Sequence, residues 1–180
     1  MTSNAPTAIV NSPQTIPSIG SKRFVKAISE SNELVNIILR THLLCEYYLD
    51  QILVAKISRG DSLIDDSRTT FAYKIQLIKA FNFLENSQAY LLDSAAGLNK
   101  VRNNCSHTLD YSVSESDVDK IGRPQGAGYL SQKINLGDDL KKLLINTLVT
   151  LISGLDFISC KCVAEASSEK NLKSGAIVNT

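Results

Sequence analysis

The chain has 180 residues, of which 43% are hydrophobic and 21% charged, with a formal net charge of +1. Those values allow one domain with a real core, and they exclude wholesale disorder and a heavily basic nucleic-acid coat, though not a small local basic site. Phe and Tyr are sparse and Trp is absent, so a platform of stacked aromatics for bases is not expected.

Residues 1–20 carry Pro6, Pro13 and Pro17 among Ser, Thr, Asn and Gln, with no hydrophobic period and no basic start ahead of an apolar block. They read as a disordered leader rather than a secretory signal. Residues 21–58 read as helix, with a joint near Ser29-Glu30-Ser31-Asn32, four residues that favour caps and turns. From Leu34 onward the apolar positions cover more than one face, which marks a central helix, and Gly60 is the expected stop.

Residues 61–70 read as a polar connection. Thr70 is placed to cap a helix from Phe71 to about Leu84, in which Phe71, Ile75, Ile78 and Phe81 keep the three-and-four spacing. After a break at Asn86-Ser87, a helix from Gln88 to about Ser106 carries the stripe Leu91, Ala95, Leu98, Val101, Cys105. Gly97 inside it costs about 1 kcal/mol against alanine, which points to a close helix contact there.

Residues 108–137 hold Gly122, Pro124, Gly126, Gly128 and Gly137 and read as one long loop, with only Glu115–Ile121 able to make a short helix. Asp138-Asp139 suit the positive end of a last helix, which runs to about Ala166 on the stripe Leu140, Leu144, Leu148, Leu151, Leu155, Ile158. Its apolar run Leu143–Leu155 is broken by polar residues and reads as too short and too polar to span a bilayer. Residues 167–180 read as a disordered tail. The fold class is all-α: a single helical domain over residues 21–166, an antiparallel bundle of four to five helices between disordered ends.

The cysteines are Cys45, Cys105, Cys160 and Cys162. No C-x-x-C pair occurs, and two histidines cannot complete a zinc set of familiar spacing, so no metal is expected. Reduced thiols used as small hydrophobes imply the cytoplasm as the default compartment.

The chemistry-bearing residues gather in Arg102-Asn103-Asn104-Cys105-Ser106-His107, which holds one of the chain's two histidines. Arginine offers a planar donor fork and histidine titrates near neutrality, a pairing suited to phosphate chemistry. On a straight helix, however, five residues separate Arg102 and His107 by about 140° and about 7.5 Å of rise. Asn103, four residues before His107, shares its face. Either Arg102 reaches round, or the helix ends before His107, or the site is completed by a second chain. The plainer alternative is that Arg102 and Asn103 cap the helix end and His107 closes it on a carbonyl.

On the preceding helix His42, Glu46 and Asp50 share a face, and a buried acid needs a partner. Glu46 is expected to contact Arg102 or His107 across the bundle; a simple His42–Glu46 pair, or a solvated stripe, is the alternative. Lys74 and Lys79 line either a groove for an RNA backbone or a solvated face. Tyr47 and Tyr48 suit the core or a dimer interface, and Arg123 lies where a loop side chain reaches substrate.

The six-residue segment matches R-x-x-x-x-H with a polar residue after the arginine, and resembles the signature of the HEPN domains (higher eukaryotes and prokaryotes nucleotide-binding). Thr41–Leu49, Phe71–Ile75 and Leu98–Asn103 look like blocks of its branch of mannitol-operon-repressor-like proteins, and the resemblance spans residues 34–111. It implies a homodimeric bundle with two motifs meeting in a cleft, and a metal-independent endoribonuclease without cofactor. Arg102, Asn103 and His107 would be catalytic, with Glu46, Lys74, Asn104 and Ser106 binding or positioning substrate. RNA is the implied substrate, in a cytoplasmic toxin or phage-defence effector with an antitoxin or nucleotidyltransferase partner. Toxin members carry a modifiable tyrosine two residues after the histidine, where this chain has Leu109. Regulator-like members imply the alternative, a non-catalytic nucleotide- or protein-binding module.

Overall fold

The computed structural model describes residues 33–176 apart from Ser67. The expected leader and the expected joint at residues 29–32 lie outside the described residues. Helix is the regular structure throughout them, in seven α-helices rather than four or five: α1 Leu34–Lys56, α2 Gly60–Ile64, α3 Phe71–Ala80, α4 Ala89–His107, α5 Glu115–Gly122, α6 Ala127–Leu136 and α7 Leu140–Ala176. Two 3-10 turns, Asn86–Gln88 and Arg123–Gln125, lead into α4 and out of α5.

The central position expected for α1 holds. It packs along α7 over the most extensive contact in the bundle and also touches α3 and α4, while α3 leans on α4. Ile38, Leu49, Ile52 and Leu53 of α1 are fully buried with Leu98 and Val101 of α4 and Leu144, Leu148, Leu151 and Leu155 of α7. Cys45 and Cys162 are buried, Cys105 is half-buried and Cys160 exposed, and all four thiols are free. Cys160 and Cys162 thus fall on opposite sides of α7, as two residues' rotation of about 200° requires.

The termini follow local chemistry. Thr70 caps α3, its hydroxyl accepting from the Tyr73 amide. Asp139 does the same for α7, its carboxylate accepting from the Lys142 amide at 3.0 Å. The end of α3 is earlier than expected. Asn82 takes φ 51°, and the amides of Asn82 and Phe83 donate back to the carbonyls of Lys79 and Ile78. This paired closure is the Schellman arrangement, with asparagine in the left-handed position.

Four further expectations are corrected. The helix before Gly60 stops at Lys56, and Gly60 instead opens α2, where a Cβ would lie 2.6 Å from the Leu53 carbonyl oxygen. The segment 108–137 holds more than the short helix allowed over Glu115–Ile121: α5 forms there, and a 3-10 turn and α6 follow it. Ser114 and Asp117 form a reciprocal capping box on α5, and Gly126 and Gly137, both at positive φ, bound α6 rather than dissolve it. Residues 167–176, read as tail, continue α7. By length and composition Leu140–Glu169 contains a stretch apolar enough to cross a membrane, contrary to the sequence reading. Its apolarity has a structural use, since more than half of that stretch is buried inside the bundle.

Candidate functional site

The polar residues that α1, α3 and α4 bring together lie along one seam. His42 of α1 is only 4% exposed. Its ring stacks on Phe71 at the start of α3, with centroids 4.1 Å apart and planes 28° apart. Its Nε2 lies 3.0 Å from Asn99 Oδ1 on α4. One turn along α1, Glu46 accepts from Lys74 Nζ at 2.9 Å, and Asp50 lies 2.7 Å from the same ammonium. The three-and-four spacing of a helix puts His42, Glu46 and Asp50 on one face, and α3 supplies their counter-charge.

The charges respond to this crowding. Burial pushes the His42 imidazole below its ordinary value; the Asn99 bond opposes this, the Arg102 charge adds to it, Glu46 opposes and Lys74 adds. Burial pushes the Asp50 carboxyl up despite the Lys74 ammonium. Burial alone would lower Lys74, but Asp50 and Glu46 raise it, so the ammonium stays charged.

Lys74 therefore lines neither an open RNA groove nor a solvated face: it is 4% exposed and clamped between two acids. Glu46 meets this lysine, not Arg102 or His107, and His42 meets Asn99 rather than Glu46. Lys79 is an exposed partner of Asp93 at 2.6 Å. Arg123 bonds Asp119 at 2.9 Å, in a network that Lys133 and Tyr129 share. Tyr48 is core and Tyr47 is exposed.

The R-x-x-x-x-H segment is the end of α4. The helix runs straight through it, so Arg102 and His107 project on different sides, as the spacing requires. Arg102 is half-buried, and its Nη1 donates to Asn103 Oδ1 at 3.2 Å. Asn99, Arg102 and Asn103 are three and four residues apart and share the α4 face toward the seam. In the last turn the Ser106 hydroxyl donates to the Arg102 carbonyl at 3.1 Å. Asn104 turns elsewhere, its amide 3.5 Å from the Tyr111 hydroxyl. His107 is exposed in the last turn of α4.

Sequence reasoning put His42, Glu46 and Asp50 on one face of α1, as the structure has them, but did not single out Asn99 and Phe71, which meet His42. The signal for Asn99 was present, since it is a polar residue one turn before Asn103 beside the Leu98–Val101 stripe. Among the described residues no group of His, Cys, Asp and Glu is arranged to hold a metal ion. No family model, no curated protein and no solved structure matches the chain.

Proposed function

We propose that the chain is a HEPN-type, metal-independent endoribonuclease whose site is completed by a second copy of itself. One observation carries the reading: Arg102 is bonded to Asn103 on a helix whose last turn presents His107 to solvent. The cleavage asks for those groups. A ribose 2′-hydroxyl, which DNA lacks, attacks the adjacent phosphorus as His107 takes its proton. The bond to the 5′-oxygen breaks, that oxygen takes a proton from water, and a 2′,3′-cyclic phosphate is left. Arg102 offers the remainder of its fork to the phosphoryl oxygens as charge builds, while Asn103 holds the guanidinium. Because Arg102 and His107 diverge by about 140° on one helix, the arginine of one copy would act with the histidine of the other.

In this reading Glu46 and Lys74 act at a distance, as part of the seam behind Arg102, and Asn104 and Ser106 shape the helix end. Such an activity suits a cytoplasmic toxin or phage-defence effector held by an antitoxin. Control by a nucleotidyltransferase fits less well, because the residue two after His107 is Leu109, with Tyr111 turned toward Asn104.

The second reading is a non-catalytic regulator that binds a nucleotide or protein through Arg102. The divergence of Arg102 and His107 within one chain favours it. Purified full-length protein incubated with RNA in excess chelator separates the two. The nuclease reading expects cleavage, lowered about 100-fold or more in His107→Ala and in Arg102→Ala. Intact RNA with wild type, together with binding that Arg102→Ala abolishes, would replace it with the second reading. A Glu46→Gln variant of unchanged fold and rate would remove Glu46 from any positioning role.

A further inference from the structure

We infer that His42 is a positioning residue: wedged between α1, α3 and α4, its ring anchors Asn99 and thereby orients the α4 face that carries Arg102 and Asn103. The inference rests on Arg102 being the functional group of the site.

A role in packing alone does not call for histidine. The site is walled by Phe71 and is 4% exposed, so a leucine would suit the burial. What histidine adds is direction. Asn99 Oδ1 accepts, so Nε2 carries the proton and the Asn99 amide nitrogen must face the other way. Asn99 is then fixed one turn below Arg102 and Asn103, which are themselves bonded to each other. His42 thus holds Asn99 on the α4 face that, one turn on, carries the Arg102–Asn103 pair.

The charged groups that bear on the ring come from every side of the seam: Glu46 on its own helix, Lys74 on α3 and Arg102 on α4. Glu46 is already occupied by Lys74. The two cations and burial favour the neutral ring, which makes a single donated bond and leaves Arg102 undisturbed. A protonated ring would stand as a third cation beside the guanidinium and push it away. The device is therefore set at neutral pH and released by acid.

The test compares His42→Leu, which keeps the apolar bulk, with His42→Gln, which keeps a donor for Asn99 but does not titrate. The readout is the Nε–H resonance of Arg102 in the full chain, assigned by its loss in Arg102→Lys. His42→Leu is expected to shift or broaden that signal, and to lower RNA cleavage at least about tenfold, the size of effect that small misplacements produce. His42→Gln is expected to restore both. In wild type the signal should follow a titration below pH 6.5 that His42→Gln lacks. An Arg102 signal unmoved in His42→Leu, or moved equally in both variants, overturns the inference. Should His42→Leu fail to fold, Asn99→Ala removes the acceptor from the other end, and an unmoved Arg102 signal there is equally decisive. RNA left intact by wild type would sink the nuclease reading and leave the resonance test standing.

Discussion

At Asn82 the chain takes a left-handed turn that most residues resist, and the reason is local. Asparagine tolerates positive φ, and the turn lets two amides close the end of α3. Asn82→Gly should leave the urea midpoint nearly unchanged, whereas Asn82→Val should cost about 1–2 kcal/mol. Lys74 is a residue whose role depends on its surroundings rather than on local conformation. Lys74→Met would leave Glu46 and Asp50 facing each other without a counter-charge. Breaking such a pair costs about 3–5 kcal/mol when fully buried. With Glu46's side chain 31% exposed, the expected loss is about 2 kcal/mol. It should shrink as pH falls and Asp50, whose carboxyl burial holds above its ordinary value, takes a proton, a trend that denaturant midpoints followed downward from pH 8 would reveal.

Gly97 shows how one helix dictates another's approach. A Cβ there would collide with the backbone carbonyl of Lys120 on α5. Gly97→Ala should therefore destabilise by about 1–3 kcal/mol, overriding the helix propensity that alanine gains, and a lower thermal midpoint would show it. This contact was anticipated from a glycine inside a helical stripe. The same logic made α1, α3, α4 and α7 legible, because each has an apolar face long enough to show its period. Of the short helices between them only α5 was, expected over Glu115–Ile121 and found over Glu115–Gly122. In α2, Gly60 looks like a stop when read alone; only the nearness of the Leu53 carbonyl shows why a glycine stands at the helix's start. Around α6, Gly126 and Gly137, which suggested a loop, mark boundaries, while the Ser114–Asp117 box explains why α5 starts where it was expected. At the candidate site, face-sharing within one helix was readable from spacing. The clamp on Lys74 and the His42–Asn99 bond were not, because each joins residues far apart in the chain.

The whole molecule should lose stability to acid in two separate ranges. Burial and nearby cations lower the His42 value. Above about pH 6.5 the ring is neutral both folded and unfolded. As pH falls below that, the unfolded chain binds a proton that the folded one withholds, so stability is lost. Asp117 and Asp119 act lower. Burial alone would raise both, but Lys120 and Ser114 at one, and Lys133, Tyr129 and Arg123 at the other, bring them to about 2. Their contribution is present above the ordinary carboxylate value of 3.8 and is lost as pH falls toward 2. Urea midpoints from pH 8 to pH 2 should show both ranges, and the His42→Gln curve should lack the upper one. The graded exposure of the four thiols makes the bundle its own reporter of opening. An aqueous disulfide reagent should react at once with Cys160, more slowly with Cys105, and with Cys45 and Cys162 only when α1 and α7 come apart. The last two thiols would then time the parting of the two helices that hold the core together, without any added label.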